Sequence, residues 1–182
     1  TRAKDIDSTQ RFDFAVSKES GFLVNNLLFV GIAFATFWGT VFPLLTEVYN
    51  GSKITVGAPF YEKVNGPLFL AILVLMGVGP LLAWRRTTWS VIKRNFRPPL
   101  IVAALWLIFL ITVLRITNAW SLAGLTAIAF VFGTVALEYY RGIRARQWRS
   151  GETIPVAISN LVAHNRRRYG GYIVHIGILL VA

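Results

Sequence analysis

GFLVNNLLFVGIAFATFWGTVFPLLT, residues 21–46, carries no charged side chain along its whole length. A helix rising ~1.5 Å per residue needs roughly 20 mostly apolar residues to cross a hydrocarbon core about 30 Å thick, and this stretch supplies them. Working outward, further uncharged runs occupy residues 66–84, 98–114, 116–137 and 169–182. The run at 98–114 is short but workable if Arg115 snorkels to the interface. Composition agrees with an apolar solvent: 55% of residues are hydrophobic, only 15% are charged, and the mean hydropathy is +0.57. That balance lies outside the range of soluble domains. The expected fold class is therefore all-α, a polytopic transmembrane helix bundle of about five spans.

The last of these spans is cut short. A helix entering the bilayer at Gly170 has covered only about 20 Å by Ala182. The chain also opens on Thr1, in a polar stretch that resembles neither a signal peptide nor a start. The 182 residues are accordingly expected to be an interior piece of a larger polypeptide.

Orientation follows from the basic residues. Of the 19 Lys and Arg, four precede the first run, five lie at 85–97 and seven at 141–168, while the alternate connections carry only Lys53, Lys63 and Arg115. The positive-inside rule then puts the N-terminus in the cytoplasm. The expected organisation is a cytoplasmic segment at 1–20 and four spans within 21–137, with an outer loop at 47–65 and a basic cytoplasmic loop at 85–98. A basic cytoplasmic loop follows at 138–169, and a fifth span starts at 170–182. A formal charge of +11 confined to one side of a bilayer reads as topology and anionic-lipid contact, so no nucleic acid is expected as a partner.

Several chemistries are excluded. With no cysteine the segment holds no disulfide, thiolate zinc site or iron–sulfur cluster. Gly77-Val78-Gly79-Pro80 sits inside an apolar run and reads as a kinked, closely packed helix rather than a phosphate cradle. None of the eight acidic residues is expected inside a span, so a proton-relay carboxylate is missing and a proton-coupled transporter is disfavoured. The recurrence of Gly31, Ala35 and Gly39 makes a small-residue stripe on which another helix can pack closely.

Two histidines remain. Ile154, Ala157, Ile158, Leu161 and Val162 recur at helical spacing after Pro155, which predicts an amphipathic interfacial helix over 153–165 with His164 and Asn160 on its polar side. His175 is different. It lies seven residues beyond Arg168, about 10 Å deeper, within hydrocarbon. An ionisable side chain there is costly without a partner. Its lone pair suits haem iron, and Gly171, one turn earlier on the same face, leaves room for a flat macrocycle. An interhelical hydrogen bond satisfies the imidazole equally well, and residue chemistry alone leaves both uses open.

Three stretches carry a resemblance: SKESGFLVNNLLFVGIAFATFWGTVFPLL (17–45), ITVGAPFYEKVNGPLFLAILVLMGVGPLLAWRR (54–86) and NRRRYGGYIVHIG (165–177). In this order they resemble consecutive segments of the CcmF/NrfE family, the membrane haem lyase component of bacterial cytochrome c maturation. The resemblance covers most of the chain and is weakest at 101–149. It implies an inner-membrane enzyme that joins haem vinyl groups to the cysteines of a CxxCH motif through thioether bonds. It also implies haem delivered by the chaperone holo-CcmE and apocytochrome c presented by a CcmH-type subunit. In that family a b-type haem lies in the membrane between two spanning histidines, and His175 matches one of them. The family's tryptophan-rich WWD segment, its flanking outer histidines and the second spanning histidine have no counterpart in these residues. The six tryptophans here are scattered instead. This segment by itself is thus not expected to perform the ligation. A secondary transporter and a purely structural membrane subunit are the alternative readings. The first calls for an inverted repeat, of which none is seen, and the second needs no buried histidine.

Overall fold

The computed structural model describes residues 18–82 and 89–182. The expected cytoplasmic segment 1–20 and Trp84 therefore fall wholly or largely outside the described residues. Helix α1 is Lys18–Asn50, α2 is Ala58–Val78, α3 is Trp89–Thr112, α4 is Ala119–Ser150, α5 is Ile154–His164 and α6 is Gly171–Val181. A short 3₁₀ turn, Gly79–Leu81, follows α2, and a π-helical turn, Arg166–Gly170, leads into α6. Among the described residues there is no strand. Helices α1 to α4 are long and apolar enough to cross a membrane. The expected all-α polytopic bundle is what forms.

The helices run beyond the apolar stretches that announce them. Helix α2 starts at Ala58 because Pro59 suits a first turn, where the missing N–H has no intrahelical partner. It ends at Val78, and Pro80 lies in the 3₁₀ turn that follows, so the expected kink at Gly77–Pro80 is a helix end instead. Helix α4 begins at an Asn118 cap, whose Oδ1 accepts from the Ser121 N–H at 3.0 Å. It continues thirteen residues past Leu137 to Ser150 and is closed by Gly151 in the left-handed conformation, φ 64°.

Small residues set the packing. A Cβ on Gly39 would lie 2.7 Å from Phe60 Cε1, and one on Gly31 would lie 3.7 Å from Leu68, so the predicted small-residue stripe of α1 is the face that receives α2. Asn65 on α2 donates to Thr36 Oγ1 on α1 at 3.2 Å across the same seam. Helix α4 is central and packs against α2, α3, α5 and α6. One apolar core joins Leu73, Ala103, Phe130, Val131 and Leu179; a second joins Val135, Leu161, Tyr169 and Tyr172 at the end of the bundle where the arginines gather. Large apolar side chains such as Leu27, Phe34, Leu105 and Phe132 point outward. In lipid that costs nothing, since the solvent is as apolar as they are. The five described tryptophans are exposed too.

Candidate functional site

The site expected from the sequence lies on α6. There the His175 Nδ1 sits 2.8 Å from the Gly171 carbonyl oxygen, one turn back on the same helix. A carbonyl can only accept, so Nδ1 carries a proton, and the lone pair of the uncharged form of the ring is then at Nε2. The interhelical bond that was the other way to satisfy this imidazole is not made among the described residues; the ring's hydrogen bond is to its own helix. An added Cβ on Gly171 would meet nothing within 4 Å, and the same holds for Gly170 and Gly177. His175 itself is half-buried, and its ring stands edge-to-face with Tyr172, centroids 6.2 Å apart.

His164 is not part of that arrangement. It is exposed at the end of α5, its Nδ1 3.0 Å from the Asn160 carbonyl oxygen, with the Asn160 amide donating to Glu152 Oε1 at 3.2 Å. Glu152 also receives a two-pronged contact from Arg146, Nε to Oε2 at 2.8 Å and Nη2 to Oε1 at 3.0 Å. That Arg146 contact is the main reason the Glu152 carboxyl is held below its ordinary value.

A charged cluster that the sequence reading did not foresee stands beside His175. Glu138, only 5% exposed, is part of α4 and presents its carboxylate to the start of α6. Its Oε2 accepts from Arg168 Nη2 and from the Tyr172 hydroxyl at 3.2 Å, and its Oε1 takes Arg141 Nη1 at 3.4 Å. Arg141 Nη2 donates to Asn95 Oδ1 at 3.1 Å, and the Asn95 amide donates to the Leu81 carbonyl at 3.4 Å. Arg168 Nε donates to the Tyr172 oxygen at 3.3 Å. The guanidinium of Arg168 is held above its ordinary value, first by that hydroxyl and then by Glu138. One polar chain thus links the 3₁₀ turn after α2 with α3, α4, the π turn and α6. The Tyr139 hydroxyl adds a bond to the Tyr169 carbonyl at 3.0 Å. The expectation that no acidic residue lies inside a span fails at Glu138, which is buried within α4 because that helix runs on past the uncharged stretch to Ser150. The signal was there in its register: Ala127, Phe130, Val131, Thr134 and Glu138 share one buried helical face.

Among the described residues no group of three His, Cys, Asp or Glu converges as a metal site. A haem iron asks less, a single imidazole on each face. His175, with Nδ1 bonded to its own helix and open space beside Gly171, is the residue here that could offer an imidazole to such a group. A cavity of about 680 Å³ opens between α2, α3 and α4, lined by hydrocarbon from residues such as Leu70, Leu100 and Phe130. His175 does not line it.

Four spanning helices with a shorter apolar helix bearing one tautomer-fixed histidine define a polytopic helical membrane protein. Known proteins take the assignment further. The chain is 33% identical over 145 residues to a cytochrome c-type biogenesis protein of Rhodobacter capsulatus, covering 79% of this chain and 22% of that one. It is 29% identical over 149 residues to the cytochrome c-type biogenesis protein NrfE of Haemophilus influenzae, with the same coverage of 79% and 22%. With the CycK protein of Rhizobium meliloti it shares 42% over 71 residues, 39% of this chain and 10% of the relative. The chain belongs to the CcmF/NrfE family of cytochrome c-type biogenesis proteins. It spans less than a quarter of the length of these relatives. No family model matches it. No solved structure matches it either.

Proposed function

We propose that this chain is part of the haem lyase that attaches haem covalently to apocytochrome c, and that its own segment holds a b-type haem in the membrane through His175 Nε2. The observation that carries the reading is the 2.8 Å bond from His175 Nδ1 to the Gly171 carbonyl. It fixes the tautomer, aims the free lone pair away from the helix backbone and raises the basicity of the ring, as an outer hydrogen bond does for ligating histidines. Gly171 leaves the flank of the helix bare for a flat group. When bound, a haem iron there would accept and release single electrons. What this chain would supply to such a group is one imidazole, that of His175; its other histidine, His164, is exposed on α5 and away from it.

In this reading the protein sits in the bacterial inner membrane with residue 18 on the cytoplasmic side. Haem as substrate arrives on a CcmE-type chaperone, and a CcmH-type subunit presents apocytochrome c for thioether formation on the outer side. Similarity to proteins called cytochrome c-type biogenesis proteins supports the pathway. The experiment is spectroscopic and uses the full-length protein in detergent. His175→Ala should lose the b-type haem bands and stop cytochrome c maturation, while His164→Ala keeps both. His175→Asn retains a polar group but is a poor iron ligand; if that variant shows a wild-type haem spectrum and normal maturation, the assignment is wrong.

A further inference from the structure

The direction in which Nε2 of His175 points depends on how α6 is rotated about its own axis. Little in the helix itself fixes that rotation. A π-helical turn precedes it, a geometry that inserts an extra residue per turn and so resets the register with α5. Tyr172 and Leu179 are buried in the two apolar cores, and the hydrophobic effect that drives their burial is non-directional. Hydrogen bonds to a buried carboxylate are directional.

We propose that Glu138 is a positioning residue for His175. By holding Arg168 and Tyr172, which lie 30 and 34 residues further along the chain, it fixes the rotation of α6 and with it the heading of the imidazole. This rests on His175 as the haem ligand. Tyr172 is the link between the two: its hydroxyl donates to Glu138 Oε2 at 3.2 Å and its ring edge meets the His175 ring, three residues on along the same helix face. The carboxylate is itself held from behind. Arg141 takes its other oxygen, Asn95 takes Arg141, and the Leu81 carbonyl takes Asn95, so the anchor point is tied to α3 and to the 3₁₀ turn after α2 rather than to α4 alone. A surface ion pair would not serve, because water would compete for both partners. Glu138 and Tyr172 are both buried, so their contact is shielded from water, whereas the Arg168 side chain that shares the carboxylate is exposed.

The test uses the full-length protein carrying Glu138→Gln, Tyr172→Phe, both together, and His175→Ala. The readouts are haem retained per protein on dilution, the midpoint potential, and the electron paramagnetic resonance g values of the oxidised haem, which report the orientation of an axial imidazole plane. Glu138→Gln should weaken haem retention by about tenfold, the low end for outer-shell partners, and shift the potential and the g values. Tyr172→Phe should shift both the same way but less. The double variant should match Glu138→Gln alone, because the hydroxyl acts through the carboxylate. Additive shifts, or wild-type g values and potential in the single variants, overturn the positioning role. If Glu138→Gln fails to accumulate in the membrane, Tyr172→Phe decides, since it removes one hydroxyl and keeps the ring. Haem retained in His175→Ala instead sinks the ligand assignment, and the two failures are thereby distinguished.

Discussion

Gly77 on α2 and Phe130 on α4 meet at a separation that leaves no space for a side chain: a Cβ on Gly77 would lie 2.6 Å from Phe130 Cε1 and 3.1 Å from Val131 Cγ2. Close approach of backbones is how helices gain contact in lipid, where burial of apolar surface brings no advantage. Gly77→Ala should therefore lower the temperature at which the detergent-solubilised protein loses its folded state, at a cost of about 1–3 kcal/mol for overpacking. Phe130 also lines the cavity between α2, α3 and α4, so its ring has somewhere to go. Gly77→Ala combined with Phe130→Leu should recover part of the loss; a double variant no more stable than the single would show that backbone displacement, not the ring, carries the cost.

Gly151 closes α4 with φ 64°, and its N–H reaches the Gln147 carbonyl at 3.0 Å. An L side chain in that conformation costs about 1–2 kcal/mol. No atom lies within 4 Å of an added Cβ, so the expected penalty for Gly151→Ala is conformational alone. Gly151→Asn should be milder than Gly151→Ala, because asparagine tolerates the left-handed region. Thermal unfolding of the two variants side by side checks the order.

The corner just beyond that glycine is predicted to depend on pH. Contact with Arg146 holds the Glu152 carboxyl below its ordinary value of 4.5. A depressed folded-state value means that the fold favours the ionised form. Above about pH 4.5 the group is ionised whether folded or not, and the contribution is fully present; it is lost as pH falls through the lower, folded value. Amide exchange or proteolytic nicking around 150–155 should rise in that acid window in the wild type. Glu152→Gln should show the raised level already at neutral pH and little further change on acidification.

Legibility in the sequence divided along physical lines. Spanning helices were readable because one property, an uncharged run of sufficient length, decides them in lipid. Their ends were not, since caps such as Asn118 and Gly151 and the first-turn Pro59 act beyond the apolar stretch. The stripe Gly31, Ala35 and Gly39 told that a helix would pack there but not which one. Of the site, His175 stood out by its depth and Gly171 by its spacing, both local signals. Glu138 did not, because its partners Arg168 and Tyr172 are 30 and 34 residues away and only the return of the chain through α5 and the π turn brings them together. The intrahelical bond that fixes the tautomer of His175 was likewise invisible, for it depends on a rotamer rather than on a residue type.

The last prediction concerns the way the four long helices alternate across the bilayer. If each crosses once, the connections 51–57 and 113–118 open on one side, and the corner 151–153 opens on the other together with the π turn. The basic residues assign the sides: Arg141, Arg144, Arg146, Arg149, Arg166, Arg167 and Arg168 cluster about the second set, whereas the first has Lys53 and Arg115. Lys and Arg near the ends of spans are retained on the cytoplasmic side, so the arginine-rich end is predicted to face the cytoplasm. A reporter active only outside the cell membrane should work when fused after Gly51 or after Ile116 and fail after Gly151; a cytoplasmic reporter should give the reverse. Replacing Arg144, Arg146 and Arg149 with Gln should weaken the bias without inverting it, because the basic residues at 89–97 and 166–168 remain on the same side. Fusions after Gly51 and after Gly151 reporting from the same side would mean that one of the four helices does not cross, and α3 is then the first to re-examine, since Pro98 and Pro99 interrupt its backbone hydrogen bonding near the middle.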